Sequence, residues 1–552
     1  MAQVPQASTP LPANAARLHN IIHVSNHIMS HILHFYHLVA LDYVKPVVDL
    51  APIGGGLTPL KRPFLCPRYD DNYYINTARI LAVAPLLPPL AVTALSALWA
   101  GGKDPGDAVN NYLVGQYLKA LNIRRLCHEM QAIFSGRAPQ CSGWTPGAAT
   151  CTFTQADINT YQAKLNTVKA FVGEPTDFAA GRAGTMMFDV VAAAHLFPEY
   201  FWIGNSFSRF IAWGWGEQAG TIPLTGDLGA IFGNMPNPAG DNRASARGWK
   251  TSAKAGTAWN AVNIMKIGES IANSRYQKVG VNYPNGRGWL HPWKGLTQPD
   301  TTQQYSWLKS PGYKTSAANG YQRFEVGPLS RMVVAGAYFA GVLNVAGYPV
   351  APVWNQAGPD CAGGTDPIGA ALQPVYDLIP NVTGGPDLSN VKYVGDSVLD
   401  RIAARAIETR FMIDMAQQFL NQLQGSIGGD GWSASGATDP AIPNNITLMK
   451  GYGMSEASRG ALSHWIKMKK GKIKAYQAVV PTTWNASPRD ANGNPGPCEE
   501  SLMSGGGAWI ANPNEPIEIP RISHSYDFCI ACAVHLVTPK GDVVKVDIPA
   551  LP

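Results

Sequence analysis

Asp527-Phe528-Cys529-Ile530-Ala531-Cys532-Ala533-Val534-His535 is the stretch on which the reading of this chain turns. Two cysteines three positions apart place both sulfurs on one side of a single turn, where they can share one metal ion. Thiolates are soft donors that suit zinc, copper(I), nickel or iron. Taken locally, the motif has three readings: half of a zinc site, a thiol–disulfide pair, or part of a nickel or iron centre. A zinc site wants a second ligand pair, and no other Cys-x-x-Cys occurs in the sequence. A redox pair of the thioredoxin type wants a βαβ setting, whereas this motif lies close to the C-terminus.

The surrounding chain is that of a globular protein: 552 residues, 46% hydrophobic and only 14% charged. Its net charge of +6 comes from 43 basic and 37 acidic residues. Spread over this length the excess is weak and no dense Lys/Arg block stands out, so nucleic acid is not an expected partner. The 56 glycines and 43 prolines point to many loops. Eight cysteines are too few for a disulfide scaffold of this size, and Cys66, Cys127, Cys141, Cys151, Cys361 and Cys498 read as buried or loop thiols. Met1 is not followed by a basic and then apolar leader. Residues 80–100 are apolar except for Thr93 and Ser96, but they contain Pro85, Pro88 and Pro89. The prolines favour a buried or interfacial segment, with a membrane contact as its rival.

Periodicity predicts a long helix over 14–44, a loop over 45–75, and helices over 108–136 and 154–172. Residues 200–330, rich in Gly, Trp and Asn, read as irregular with short strands. Helices follow over about 328–346 and 393–424. The second carries a stripe of Leu399, Ile402, Ala406, Ile407, Phe411, Met412, Met415 and Phe419, as a core-facing helix does. Residues 464–480 alternate around Lys470-Gly471 and read as a hairpin. No repeat or linker divides the chain, so residues 1–552 read as one domain.

His19, His23, His27, His31, His34 and His37 recur at steps of four and three and share one helix stripe. A row of imidazoles could be a metal-binding face. The favoured reading is packing and hydrogen bonding within a buried helix, because ligand sites seldom use six histidines in line.

The run from Cys529 to His535 resembles the C-terminal signature of nickel–iron hydrogenase large subunits, Asp-Pro-Cys-x-x-Cys-x-x-His. Upstream, Glu456-Ala457-Ser458-Arg459-Gly460-Ala461-Leu462 is similar to the family's Glu-Ala-Pro-Arg-Gly element. Val479-Val480-Pro481-Thr482-Thr483-Trp484-Asn485 is similar to the segment that lines its metal pocket. His34-Phe35-Tyr36-His37-Leu38 with Ala40-Leu41-Asp42, and His128-Glu129-Met130 with Gly136-Arg137, extend the match in the family's order.

The resemblance implies an α+β fold, mainly α, with long helices in a central bundle and small antiparallel sheets and long loops at the periphery. It implies a nickel–iron centre with cyanide and carbonyl ligands, at which dihydrogen is split into hydride and proton. Cys529 would be a terminal nickel thiolate and Cys532 a bridge to iron. Arg459 would hang over the open metal face, paired with Asp527. Thr482, beside Pro481, would bond a cyanide ligand. His535 and the carbonyl near Ala478 would hold magnesium. Without the resemblance, Arg459 reads as a surface ion pair, Thr482 as a strand-end hydroxyl and Asp527 as a helix cap. Electrons would leave through an iron–sulfur small subunit, on the periplasmic side of the cytoplasmic membrane, with a membrane cytochrome as a further candidate partner.

Several features depart from the family pattern. The Arg-x-Cys-Gly-x-Cys motif that supplies two further thiolates is absent, as is the Glu-Gly-His-x-Arg strand before it. Leu11-Pro12-Ala13-Asn14-Ala15 resembles the family segment just after that motif, so the expectation is a split gene, with a separate chain carrying those ligands, or a truncated sequence. This chain alone would then be inactive. Ser458 and Phe528 replace prolines, Ser30 stands where some members have an aspartate, and residues 80–100 match nothing in the pattern. Residues 536–552 correspond to a tail that a maturation protease removes, or form a C-terminal strand. Two rivals remain at this point: a non-catalytic scaffold like that of respiratory complex I, and a zinc or thiol–disulfide protein.

Overall fold

A computed structural model describes residues 12–45, 73–336 apart from short breaks, 395–427, 448–503, 516–529, 536–537 and 543–544. Long helices form its centre. Helix α1 (Ala13–His34) packs most extensively against α2 (Pro105–Ser135) and α6 (Val398–Gln424). Helix α3 (Gln155–Val172) lies across α2 and α6, while α4 (Met186–Leu196) and α5 (Pro328–Ala335) close on α6. One large apolar cluster runs through all six. Around it lie two- and three-stranded antiparallel sheets, so the expected α+β, mainly helical architecture is present.

Local chemistry sets the helix ends. Asp104 caps α2 by accepting from the Asp107 amide, Pro105 opens it, and Gly136 ends it in the left-handed region at φ 76°. Thr154 with Asp157, and Ser397 with Asp400, form reciprocal capping boxes on α3 and α6. Helix α1 widens into a π turn at Phe35–Val39 and a 3-10 turn at Ala40–Asp42, so the helical run ends close to the expected residue 44. Helix α5 stops at Ala335 because Gly336 turns left-handed at φ 79°; the rest of the expected 328–346 helix lies outside the described residues. Most of the expected loop over 45–75 lies outside them too.

Residues 80–100 form two short helices, Thr77–Val83 and Pro89–Ser96, broken where the prolines fall. Ile80, Val83, Ala91 and Leu95 are buried, whereas Leu81, Leu86 and Leu90 are exposed. No described helix is long and apolar enough to cross a membrane.

The histidines of α1 and of the π turn after it pack and bond, with His27, His31 and His34 buried and His19, His23 and His37 half-buried. His19, His34 and His37 each reach a backbone carbonyl, at 3.1, 2.7 and 3.2 Å, and His31 reaches Glu408 at 2.8 Å. His27 stacks on Trp215. Among the described residues, no three His, Cys, Asp or Glu side chains gather at metal-binding spacing.

Helix α6 departs from the amphipathic expectation. Its stripe is core, but its charged side is buried as well. The reason is pairing. Arg401 grips Glu325 with two bonds of 2.9 and 2.8 Å. Glu408 takes two 2.6 Å bonds from Arg331 of α5, and Arg331 also donates to Glu456 at 2.9 Å. A buried charge is tolerated only when it is matched in this way. Burial works to raise the Glu408 carboxyl, yet Arg331 and His31 hold it at about 2.

Replacing Arg331 with Met leaves Glu408 and Glu456 buried without their cation, and should cost about 3–5 kcal/mol. The measurement is the urea midpoint by circular dichroism. The Glu408 carboxyl is depressed from 4.5, so its contribution is fully present above pH 4.5 and is lost as pH falls toward 2. The gap between wild type and Arg331→Met should therefore narrow over that window.

Candidate metal centre

Three stretches far apart in sequence converge near the start of α5, around Val326 and Gly327. The first is a three-stranded sheet of β1 (Met449–Ala457), β2 (Gly460–Lys469) and β3 (Lys472–Val479). Arg459 sits in the tight turn between β1 and β2, where Ala457 faces Gly460. Gly460 has φ 131°, and a Cβ there would lie 2.7 Å from the Gly327 nitrogen and 2.8 Å from Val326. Only glycine fits so close a backbone approach. On β1, Glu456 is locked by Arg331 and by the Trp213 amide, 2.5 Å away.

The second stretch is α7 (Pro481–Asn485), which follows β3 and opens with proline at its first position. Asn485 accepts from the Val326 amide at 3.0 Å and donates to the Val326 carbonyl at 2.8 Å. That two-way bond ties α7 to the segment leading into α5. Thr482 is buried.

The third stretch is α8 (Glu518–Ser525) and the residues after it. His524 bonds Asp42 at 2.6 Å, and its carbonyl meets His34, fixing the helix end against α1. Arg401 lies over the Tyr526 ring at 3.8 Å and donates to its hydroxyl at 2.7 Å. Asp527 then turns left-handed at φ 57°, a conformation that Asp adopts more readily than most residues. The turn sends the chain back so that the Cys529 amide donates to the Thr482 hydroxyl at 3.2 Å.

The Arg459 guanidinium meets Asp527 at 3.1 Å, with the arginine side chain 31% exposed and the carboxylate 1%. Burial alone would raise the Asp527 carboxyl, but His34 and the guanidiniums of Arg459 and Arg405 bring it below its ordinary value. Burial pulls the Arg405 guanidinium down to about 10. The second Asp527 oxygen and the Arg459 Nε are buried without a hydrogen-bond partner among the described residues. Two orphaned polar atoms, one of them two residues before the half-buried Cys529, fit a site completed by a further group. Cys529 is a soft donor of the kind that nickel or iron takes.

Of the residues singled out in the sequence, Cys529, Asp527, Arg459, Pro481 and Thr482 lie at this convergence. Ala478 stands near the end of β3, opposite His464. Cys532 and His535 lie outside the described residues. The tail reads as a strand in part, since Leu536–Val537 pairs with Val543–Val544. Sequence reasoning missed the supporting ring of Arg331, Arg401, Arg405, Glu408 and Glu325. The available signal was the row of arginines at 401, 405 and 410 in a helix otherwise rich in apolar residues.

The model of the nickel-dependent hydrogenase family matches residues 2–52 and 103–535, and passes over the segment that matched nothing in the sequence pattern. The periplasmic [NiFeSe] hydrogenase large subunit of Desulfomicrobium baculatum is 30% identical, over 99% of this chain and 84% of its own. The uptake hydrogenase large subunit of Bradyrhizobium diazoefficiens is 28% identical, over 98% of this chain and 84% of its own. A solved structure of the Desulfomicrobium baculatum [NiFeSe]-hydrogenase superposes with a TM-score of 0.61 at 28% identity, covering 95% of this chain and 82% of that one. With most of its length matched by the family model and its fold shared with solved members, the chain belongs to the nickel-dependent hydrogenase family.

Proposed function

We propose that this chain is the large subunit of a hydrogenase and carries the splitting of dihydrogen, or its reverse, at a nickel–iron centre. The observation that supports this best is the meeting of the Cys529 segment, the Thr482 hydroxyl and the Arg459–Asp527 pair, drawn from three distant stretches. The relatives named above are hydrogenases, which favours this reading over a non-catalytic scaffold or a zinc protein.

Cys529 and Cys532 would hold the metals. Pro481 and Thr482 would face cyanide and carbonyl ligands on the iron, and His535 with the Ala478 carbonyl would bind magnesium. When bound, the metal pair supplies a Lewis-acidic, redox-active place for dihydrogen. The chain's own residues do the rest. Arg459 would set a fixed cation beside that place, where charge separates as the H–H bond of dihydrogen is cleaved. Asp527, buried and ionised, holds the guanidinium in one orientation. Thr482 accepts the Cys529 amide and so fixes where the sulfur points.

Electrons would leave through an iron–sulfur small subunit, because the six cysteines before Cys529 are widely spaced and show no cluster-binding pattern. The Arg-x-Cys-Gly-x-Cys motif, which would bring two more thiolates, does not occur within residues 1–552. The reading also includes a protease that acts on the tail, a membrane cytochrome, and a place on the periplasmic side of the membrane.

Elemental analysis and infrared absorption of the isolated complex test this reading. Nickel and iron should be present, with cyanide and carbonyl bands, and Cys529→Ser should lose nickel and hydrogen uptake together. Zinc at one per chain without those bands would overturn it. Arg459→Lys should keep the metals yet lower hydrogen oxidation by roughly 10²–10³, since a lysine cannot reproduce the planar guanidinium. Thr482→Val should lower nickel occupancy, in line with the roughly 10–100-fold loss of metal affinity that follows removal of an outer hydrogen bond. Elemental analysis at limiting nickel reads that loss.

A further inference from the structure

The sheet that carries Arg459 at one end carries a very different feature at the other. Lys467-Met468-Lys469-Lys470-Gly471-Lys472-Ile473-Lys474 places five lysines in eight residues. This block corrects the expectation from net charge that no dense basic run exists. From Gly460 to Val479 there is no acidic residue. Among the described residues, none of the five lysines pairs with a carboxylate. The whole chain has a net charge of only +6, so most of a comparable charge is gathered on one hairpin.

The hairpin projects from the body. Lys470 and Gly471 make its two-residue turn, both left-handed at φ 50° and 69°, and every residue from 469 to 474 is exposed. Ile473, between Lys472 and Lys474, is 62% exposed, the highest value for a large apolar side chain among the described residues. On the outer face, Tyr476 stands 51% exposed and pairs across the strands with Ile466. Tyr452, also exposed, stacks on Trp465. Burial, and then the charges of Lys450 and Lys294, lower the Lys467 ammonium below its ordinary value, a sign that positive charge is crowded here.

We propose that this hairpin docks the protein on an anionic phospholipid surface, with the lysines on the headgroups and Ile473 and Tyr476 in the interface. The charge calls for an acidic surface, and an exposed aliphatic and a tyrosine beside the lysines match the layered chemistry of a lipid headgroup region. Shape separates lipid from protein. A six-residue tip presents roughly a few hundred Å2, short of the ~800 Å2 that each partner gives to a stable protein interface. A fluid bilayer yields to a convex tip without matching its shape. The inference does not depend on the metal chemistry.

Co-sedimentation of the isolated complex with phosphatidylglycerol vesicles tests it, with phosphatidylcholine vesicles as the control. The wild type should sediment with the anionic vesicles at low salt, be released near 0.5 M salt, where the screening length falls to roughly 4 Å, and ignore the neutral ones. Lys469→Glu with Lys472→Glu and Lys474→Glu should weaken binding by roughly 100-fold or more. Ile473→Ser should weaken it several-fold while keeping the salt dependence. An unchanged thermal midpoint in each variant shows that the fold is intact. Equal sedimentation of wild type and triple variant, or no sedimentation of the wild type, overturns the proposal. So does loss of a protein subunit from the triple variant, which would place the lysines against an acidic protein. Nickel content and hydrogen uptake, read on the same samples, report separately on the hydrogenase reading.

Discussion

Arg331 is the residue on which the arrangement of the site depends. It sits fully buried on α5, holds Glu408 of α6 with two bonds and Glu456 of β1 with a third, and donates to the carbonyls of Ala457 and Ser458. Through Glu408 it also reaches His31 of α1. One guanidinium thus joins the helical core to the sheet that presents Arg459. The two carboxylates respond differently. Burial would raise both, but the paired bonds and His31 bring Glu408 down, whereas Glu456, with a single bond from Arg331, stays raised. With side chains fully buried, each charge is little screened by solvent and fixes the position of the next.

That rigidity explains how a short loop can hold reactive geometry. The site is not built on one element. Cys529 follows a helix end held by His524, Asp42 and Arg401; Thr482 stands on a helix tied by Asn485; Arg459 stands in a turn tied by Glu456. The His524–Asp42 bond ties to the end of the α1 run, and the other supports return to the segment 325–331 or to α6. Side chains that bear on chemistry are held by partners that are themselves locked, which is what a pre-organised site requires.

Much of this was legible in the sequence, and the parts that were not have physical reasons. Periodicity places the helices at 108–136, 154–172 and 393–424, within a few residues of starts that the structure sets by the local caps Asp104, Thr154 and Ser397. The Lys470-Gly471 turn was likewise local. Strand β1 was missed: Gly451 and Gly453 interrupt its alternation, and its state is imposed by pairing with β2. The buried ion network was also missed, because partners such as His31 and Glu408 lie far apart in sequence. Charge counted over the whole chain concealed the lysine hairpin. The convergence of Cys529, Thr482 and Arg459 was expected only from family resemblance, since no spacing rule connects residues that meet through tertiary folding.

The contact between Gly460 and Gly327 carries one more consequence. Where two main chains touch without side chains between them, the starting point of the adjoining arginine is set by backbone geometry. A methyl group at 460 would press on the Gly327 nitrogen at 2.7 Å, whereas one at 327 would meet the Arg459 carbonyl at 3.3 Å. Both positions also hold positive φ, 128° at 327 and 131° at 460, so a side chain at either would strain the main chain as well as part the two segments, and the turn bearing Arg459 would shift as one body.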